Sequence, residues 1–157
     1  MDYFLLKFVH IIGATVLLGT GAGIAFFMVA AHRTGSAATI AAVTRIVVIA
    51  DFVFTATAVV AQPLSGAALA WQAGYSLLDG WIVVSLLLYG VTGAFWLPVV
   101  WMQIEMRDLA SAAAARSEEL PPRYHKLFRL WFVFGFPAFG AVLTILWLMI
   151  TRPTIIW

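Results

Sequence analysis

Apolar residues in this chain fall into four long runs with almost no period-two alternation: Tyr3–Ala31, Arg45–Trp71, Trp81–Ile104 and Leu127–Ile150. Each is long enough for a helix to cross a hydrocarbon core of about 30 Å, which takes roughly 20 residues. Transmembrane strands would need only about 10 residues each and would alternate. The pattern predicts an all-α, polytopic membrane protein: one domain, a four-transmembrane-helix bundle over residues 1–157. The segment Asp108–Pro122 (DLASAAAARSEELPP) is Ala-rich and charged. It reads as a continuation of the third helix beyond the bilayer, stopped by Pro121 and Pro122, which supply no backbone N–H.

Composition agrees with this reading. Of the 157 residues, 64% are hydrophobic and 10% charged, against about 25% charged in a soluble domain. The first run exceeds the roughly 7–15 apolar residues of a signal-peptide core, and no basic stretch precedes it, so it reads as a retained span. There is no cysteine, which removes disulfides, thiolate metal sites and thiol catalysis from consideration.

Charge predicts orientation. Four spans put both termini on one side. Arg33, Arg45, Arg107, Arg116, Arg123, Lys126 and Arg129 fall at the opposite side, against Lys7 and Arg152 at the terminal side. Cytoplasmic segments are rich in Lys and Arg. Seven against two therefore predicts both termini outside, periplasmic or extracellular, in a bacterial inner (plasma) membrane. Trp71, Tyr75, Trp81 and Trp157 would join the outer aromatic belt. The net charge of +2 is accounted for by helix ends and gives no nucleic-acid signal.

Ionisable residues inside a membrane are candidate functional sites. His10 stands about seven residues into the first span, roughly 10–12 Å below its end. Gln62, Tyr89, Thr92 and Thr144 fall near the same depth. Residues Gly13, Ala14, Leu17 and Gly21 share the helical face of His10, and small residues there admit a neighbouring helix or a flat ligand. The imidazole can hydrogen-bond Gln62 or Tyr89, or ligate a metal or haem iron. His32 and His125 lie too far away to share an iron with it. On the basic side, Asp51 is a candidate ion-pair partner of Arg129 or Arg45, or else a proton-handling carboxylate. Gly19 and Gly23 suggest a close helix crossing. Gln62-Pro63 and Gly135-Phe-Pro137 are candidate kinks that free backbone carbonyls. The run LFRLWFVFGFPAF is read either as packing or lipid-facing surface, or as the border of a porphyrin or quinone. No inverted repeat supports alternating-access transport.

The ordered segments FVHIIGATVLLGTGAG, IADFVFTATAVVAQPLSG, GWIVVSLLLYGVTGAFWLPVVWMQ, LWFVFGFPAFG and LMITRP resemble a bacterial four-helix membrane family catalogued as a domain of unknown function. The resemblance covers nearly the whole chain and implies fold and location without an activity. A more distant similarity, through Lys7-Phe-Val-His10-Ile11-Ile12 and Arg152-Pro153, links the chain to the membrane protoporphyrinogen oxidase and to copper-resistance membrane domains. By that similarity His10 would be an axial ligand of haem b. The chain departs from the oxidase at Ser85, where the oxidase has an important lysine, and at Trp96, which stands in for a further histidine. Protoporphyrinogen oxidation is therefore not implied.

Two readings remain open. In the first, a small membrane protein binds haem b through His10, with Gln62, Tyr89 and Thr144 lining the pocket, and serves electron transfer to a membrane redox partner or porphyrin handling. In the second, a non-enzymatic subunit or scaffold packs against a larger complex or further copies of itself, and His10 is a structural interhelical hydrogen-bonding residue. A copper-handling role is weaker, since Met28, Met102, Met106 and Met149 are scattered and no soft-ligand cluster is apparent.

Overall fold

A computed structural model of the chain describes residues 2–155. Trp157, expected in the aromatic belt, lies outside the described residues. The four runs form four membrane-length helical crossings. The first is α1 (Tyr3–Arg33). The second comprises α2 (Ala37–Ala50), a π-helical turn (Asp51–Thr55) and α3 (Ala56–Gln72). The third and fourth are α4 (Gly80–Arg116) and α5 (Pro122–Thr151).

Local chemistry sets the ends of these helices. Ser36 caps α2, its hydroxyl accepting from the backbone N–H of Thr39, one of the orphan donors of a helix start. The Ala-rich segment does extend α4, as its composition suggests. Its stop lies earlier than the two prolines: Ser117 turns left-handed at φ 54°, and the Glu118 N–H returns to the carbonyl of Ala113, a helix-closing arrangement. Pro122 instead opens α5, at a position where a missing N–H costs nothing.

The second crossing changes partners halfway along. α2 packs on both α1 and α4, whereas α3 packs on α1 and has no extended contact with α4. α4 and α5 form a long hairpin, and α1 touches α5 only lightly. The bundle is therefore closed at its basic end. There Ile24, Met28, Ile40, Val47, Met102, Met106, Tyr124, Leu127 and Trp131 form one buried cluster. The His32 ring stacks on Phe128 at 3.7 Å between centroids. Arg123 bridges to Glu105 at 2.9 Å.

At the terminal end the two hairpins diverge. Here α1 and α3 meet along a narrow seam. A side chain added at Gly13 would overlap the Gln62 amide, and one at Gly66 would meet the His10 ring at 3.3 Å. The close crossing expected at Gly19 and Gly23 is absent, because a Cβ at Gly19 would meet nothing and one at Gly23 only its own Phe27. Tyr75 and Arg152 tie the ends together through a 2.8 Å hydrogen bond, beside Trp81.

Candidate functional site: a cavity with a polar floor

The divergence of the hairpins leaves a cavity of about 450 Å³ bounded by α1, the π-helical turn, α3, α4 and α5. That volume lies in the range of small-molecule sites. One stripe of α4 supplies a wall: Tyr89, Thr92, Gly93, Trp96, Val99 and Gln103 recur at the three- and four-residue spacing of a single helical face. α5 adds Trp131, Phe132, Phe136 and Phe139, and α1 adds Leu17, Gly21 and Ile24. The Phe-rich run packs below at Phe128 and Trp131 and walls the cavity above. Between α1 and α5, Ala22, Ala25, Phe136 and Phe139 are exposed, so the cavity has a side facing the lipid.

Its floor is polar. In a π-helical turn the bonds run i to i+5, and here Ala56 N–H reaches the carbonyl of Asp51. Such single widened turns occur often at functional sites. This one buries Asp51 (3% exposed) and Thr55, while Phe52, Val53 and Phe54 stay on the surface. Asp51 accepts a long 3.4 Å hydrogen bond from Trp96 Nε1. Asp51 Oδ2, Thr55 Oγ1, Gln103 Oε1 and Trp131 Nε1 are buried with no hydrogen bond within 3.5 Å, the Thr55 and Gln103 side chains lying beside the Asp51 carboxyl. All four residues line the cavity. Buried polar groups are normally satisfied, and one left unmade costs about 1–3 kcal/mol. Grouped at one spot, these four give an otherwise apolar space one polar end.

The expected ion pair of Asp51 with Arg129 or Arg45 is not formed. Arg129 Nε instead donates to the carbonyl of His125, and no ion pair among the described residues includes Asp51. The cause is position: Arg129 and Arg45 are exposed, whereas the widened turn directs Asp51 inward.

The residues expected to share a layer with His10 are split between surroundings. His10 Nδ1 and the Ser65 hydroxyl are 2.8 Å apart, and Gln62 Nε2 donates to the His10 carbonyl at 2.8 Å. Both belong to the α1–α3 seam and neither lines the cavity. Tyr89 does line it, and its hydroxyl donates to the carbonyl of Val59. Pro63, four residues after Val59, has no N–H to satisfy that carbonyl. The expected freed carbonyl therefore exists, and Tyr89 occupies it. Thr144 is exposed and donates to its own helix at Gly140. Sequence reasoning named Asp51, Tyr89 and Thr92 and singled out the run that holds Trp131, but passed over Thr55 and Gln103. The regular α4 stripe from Tyr89 to Gln103, with Asp51 and Thr55 four residues apart, was the available signal.

The family model for a predicted integral membrane protein, DUF2269, matches residues 4–153. The chain belongs to that family. The match spans every crossing of this DUF2269 protein, including all the cavity residues. No curated protein and no solved structure matches it.

Proposed function

We propose that this DUF2269 protein binds an amphipathic small molecule taken from the bilayer, holding its apolar body between α4 and α5 and its polar end on the floor around Asp51. The observation that carries this reading is an apolar cavity with one polar end, where Asp51, Thr55, Gln103 and Trp131 are grouped with no hydrogen bond within 3.5 Å at Asp51 Oδ2, Thr55 Oγ1, Gln103 Oε1 or Trp131 Nε1. The lipid-facing side between α1 and α5 provides a route in for a molecule dissolved in the membrane. With the basic end in the cytoplasm, as the charge asymmetry favours, the floor lies toward the cytoplasmic side and both termini lie outside. An axial role for His10 in a haem b site draws no support from this arrangement. The ring rests against Gly66 with Nδ1 on Ser65, away from the cavity, and no group of three His, Asp or Glu residues suited to a metal occurs among the described residues. The seam is better read as a structural interhelical contact, as the scaffold reading expects.

The test is photolabelling in phosphatidylcholine vesicles with a diazirine-bearing ten-carbon alcohol. A Cβ at Gly93, a cavity residue, would meet no atom within 4 Å, so Gly93→Leu is the substitution chosen to occupy the site. Label should map to cavity residues of the wild type and fall in Gly93→Leu. Label spread evenly over lipid-facing positions, and unaffected by that substitution, would refute the reading.

A further inference from the structure

The floor is chemically lopsided. Three of its unpartnered atoms are oxygens, Asp51 Oδ2, Thr55 Oγ1 and Gln103 Oε1, and only Trp131 Nε1 is an N–H. The one ionisable acid is Asp51, and no Lys, Arg or His lines the cavity. Resting on the reading of this cavity as a ligand site, we infer that the ligand is a lipophilic amine bound as its ammonium. An ammonium group carries three donors and no acceptor, which suits a cavity end where one carboxylate stands with the Thr55 and Gln103 oxygens and no basic side chain. It supplies the counter-charge that Asp51 lacks, in a place where an unpaired buried charge is costly. A phosphate or carboxylate head would instead meet the like charge of Asp51. A quinone, which offers only acceptors, would leave the carboxylate and the Gln103 oxygen unpaired. A bare alkali ion would satisfy the oxygens and leave the aromatic walls empty.

The experiment is competition in the same labelled vesicles, using unlabelled decylamine and decanol, which share a chain length and differ in the head. In the wild type, decylamine displaces the label at a concentration on the order of tenfold lower than decanol, as a hydrogen bond to a charged group implies. In Asp51→Asn the label remains and the advantage of the amine collapses toward one. Gln103→Met, similar in length, narrows it in part. Equal displacement by both competitors in the wild type, or an advantage that survives Asp51→Asn, overturns the inference while leaving the cavity as a ligand site. Wild-type labelling that Gly93→Leu does not reduce overturns both.

Discussion

The two ends of the bundle solve the packing problem differently. At the basic end all four crossings meet, and large side chains such as Tyr124, Met28 and Met106 are fully buried. At the terminal end α1 grips only α3, through glycines and a few polar contacts, and the space between the hairpins stays open. Lipid tails are as apolar as leucine, so helices in a membrane associate by close packing and hydrogen bonds instead of by expelling water. The closed end uses the first means fully, which frees the other to carry a cavity. The Asp51–Thr55 turn sits at the boundary, where the second crossing passes from α4 to α1.

Substitutions should expose this division. The largest effect is expected in the closed half: Tyr124→Ala removes a ring with no exposure that stacks beside His32, and should cost about 3–5 kcal/mol in reversible denaturant unfolding. Next comes the seam. Gly13→Leu forces Gln62 aside and should cost about 1–3 kcal/mol, as overpacking does. Ser65→Ala, which removes a hydroxyl that pairs with His10 and donates to the Ala61 carbonyl of its own helix, should cost about 0.6 kcal/mol by the same assay. Last comes the cavity floor: Asp51→Asn, close in shape, removes a buried carboxylate without a counter-charge and should leave the empty protein no less stable. A seam substitution as costly as Tyr124→Ala would erase the distinction between the ends. A large loss in Asp51→Asn would make the floor a structural element.

The crossings were readable because a bilayer demands one simple property, roughly 20 apolar residues in succession, and the four runs have it. Which side of each helix faces inward was harder to read. α4 is apolar on nearly every face, so its stripe of Tyr89, Trp96 and Gln103 barely stands out by polarity. Depth alone grouped His10 with Tyr89 and Thr144, although rotation about the helix axes sends Thr144 outward and His10 into the seam. The widened turn at Asp51 is invisible to a 3.6-residue period, since it adds a residue and rotates α2 relative to α3. Asp51 was therefore recognisable as an intramembrane acid, but its orientation was not, and an ion pair with exposed Arg129 or Arg45 looked natural. Pro63 was a more faithful guide: its missing N–H predicts a free carbonyl, and the Tyr89 hydroxyl is found on it.

The most direct measurement is native mass spectrometry of the protein extracted from membranes together with its surrounding lipid, wild type beside Gly93→Leu. The account predicts one defined small-molecule adduct that survives removal of bulk lipid from the wild type and is absent from Gly93→Leu. Spectra with the same adducts in both proteins, or with none in either, would contradict the claim that the cavity above Asp51 is a binding site.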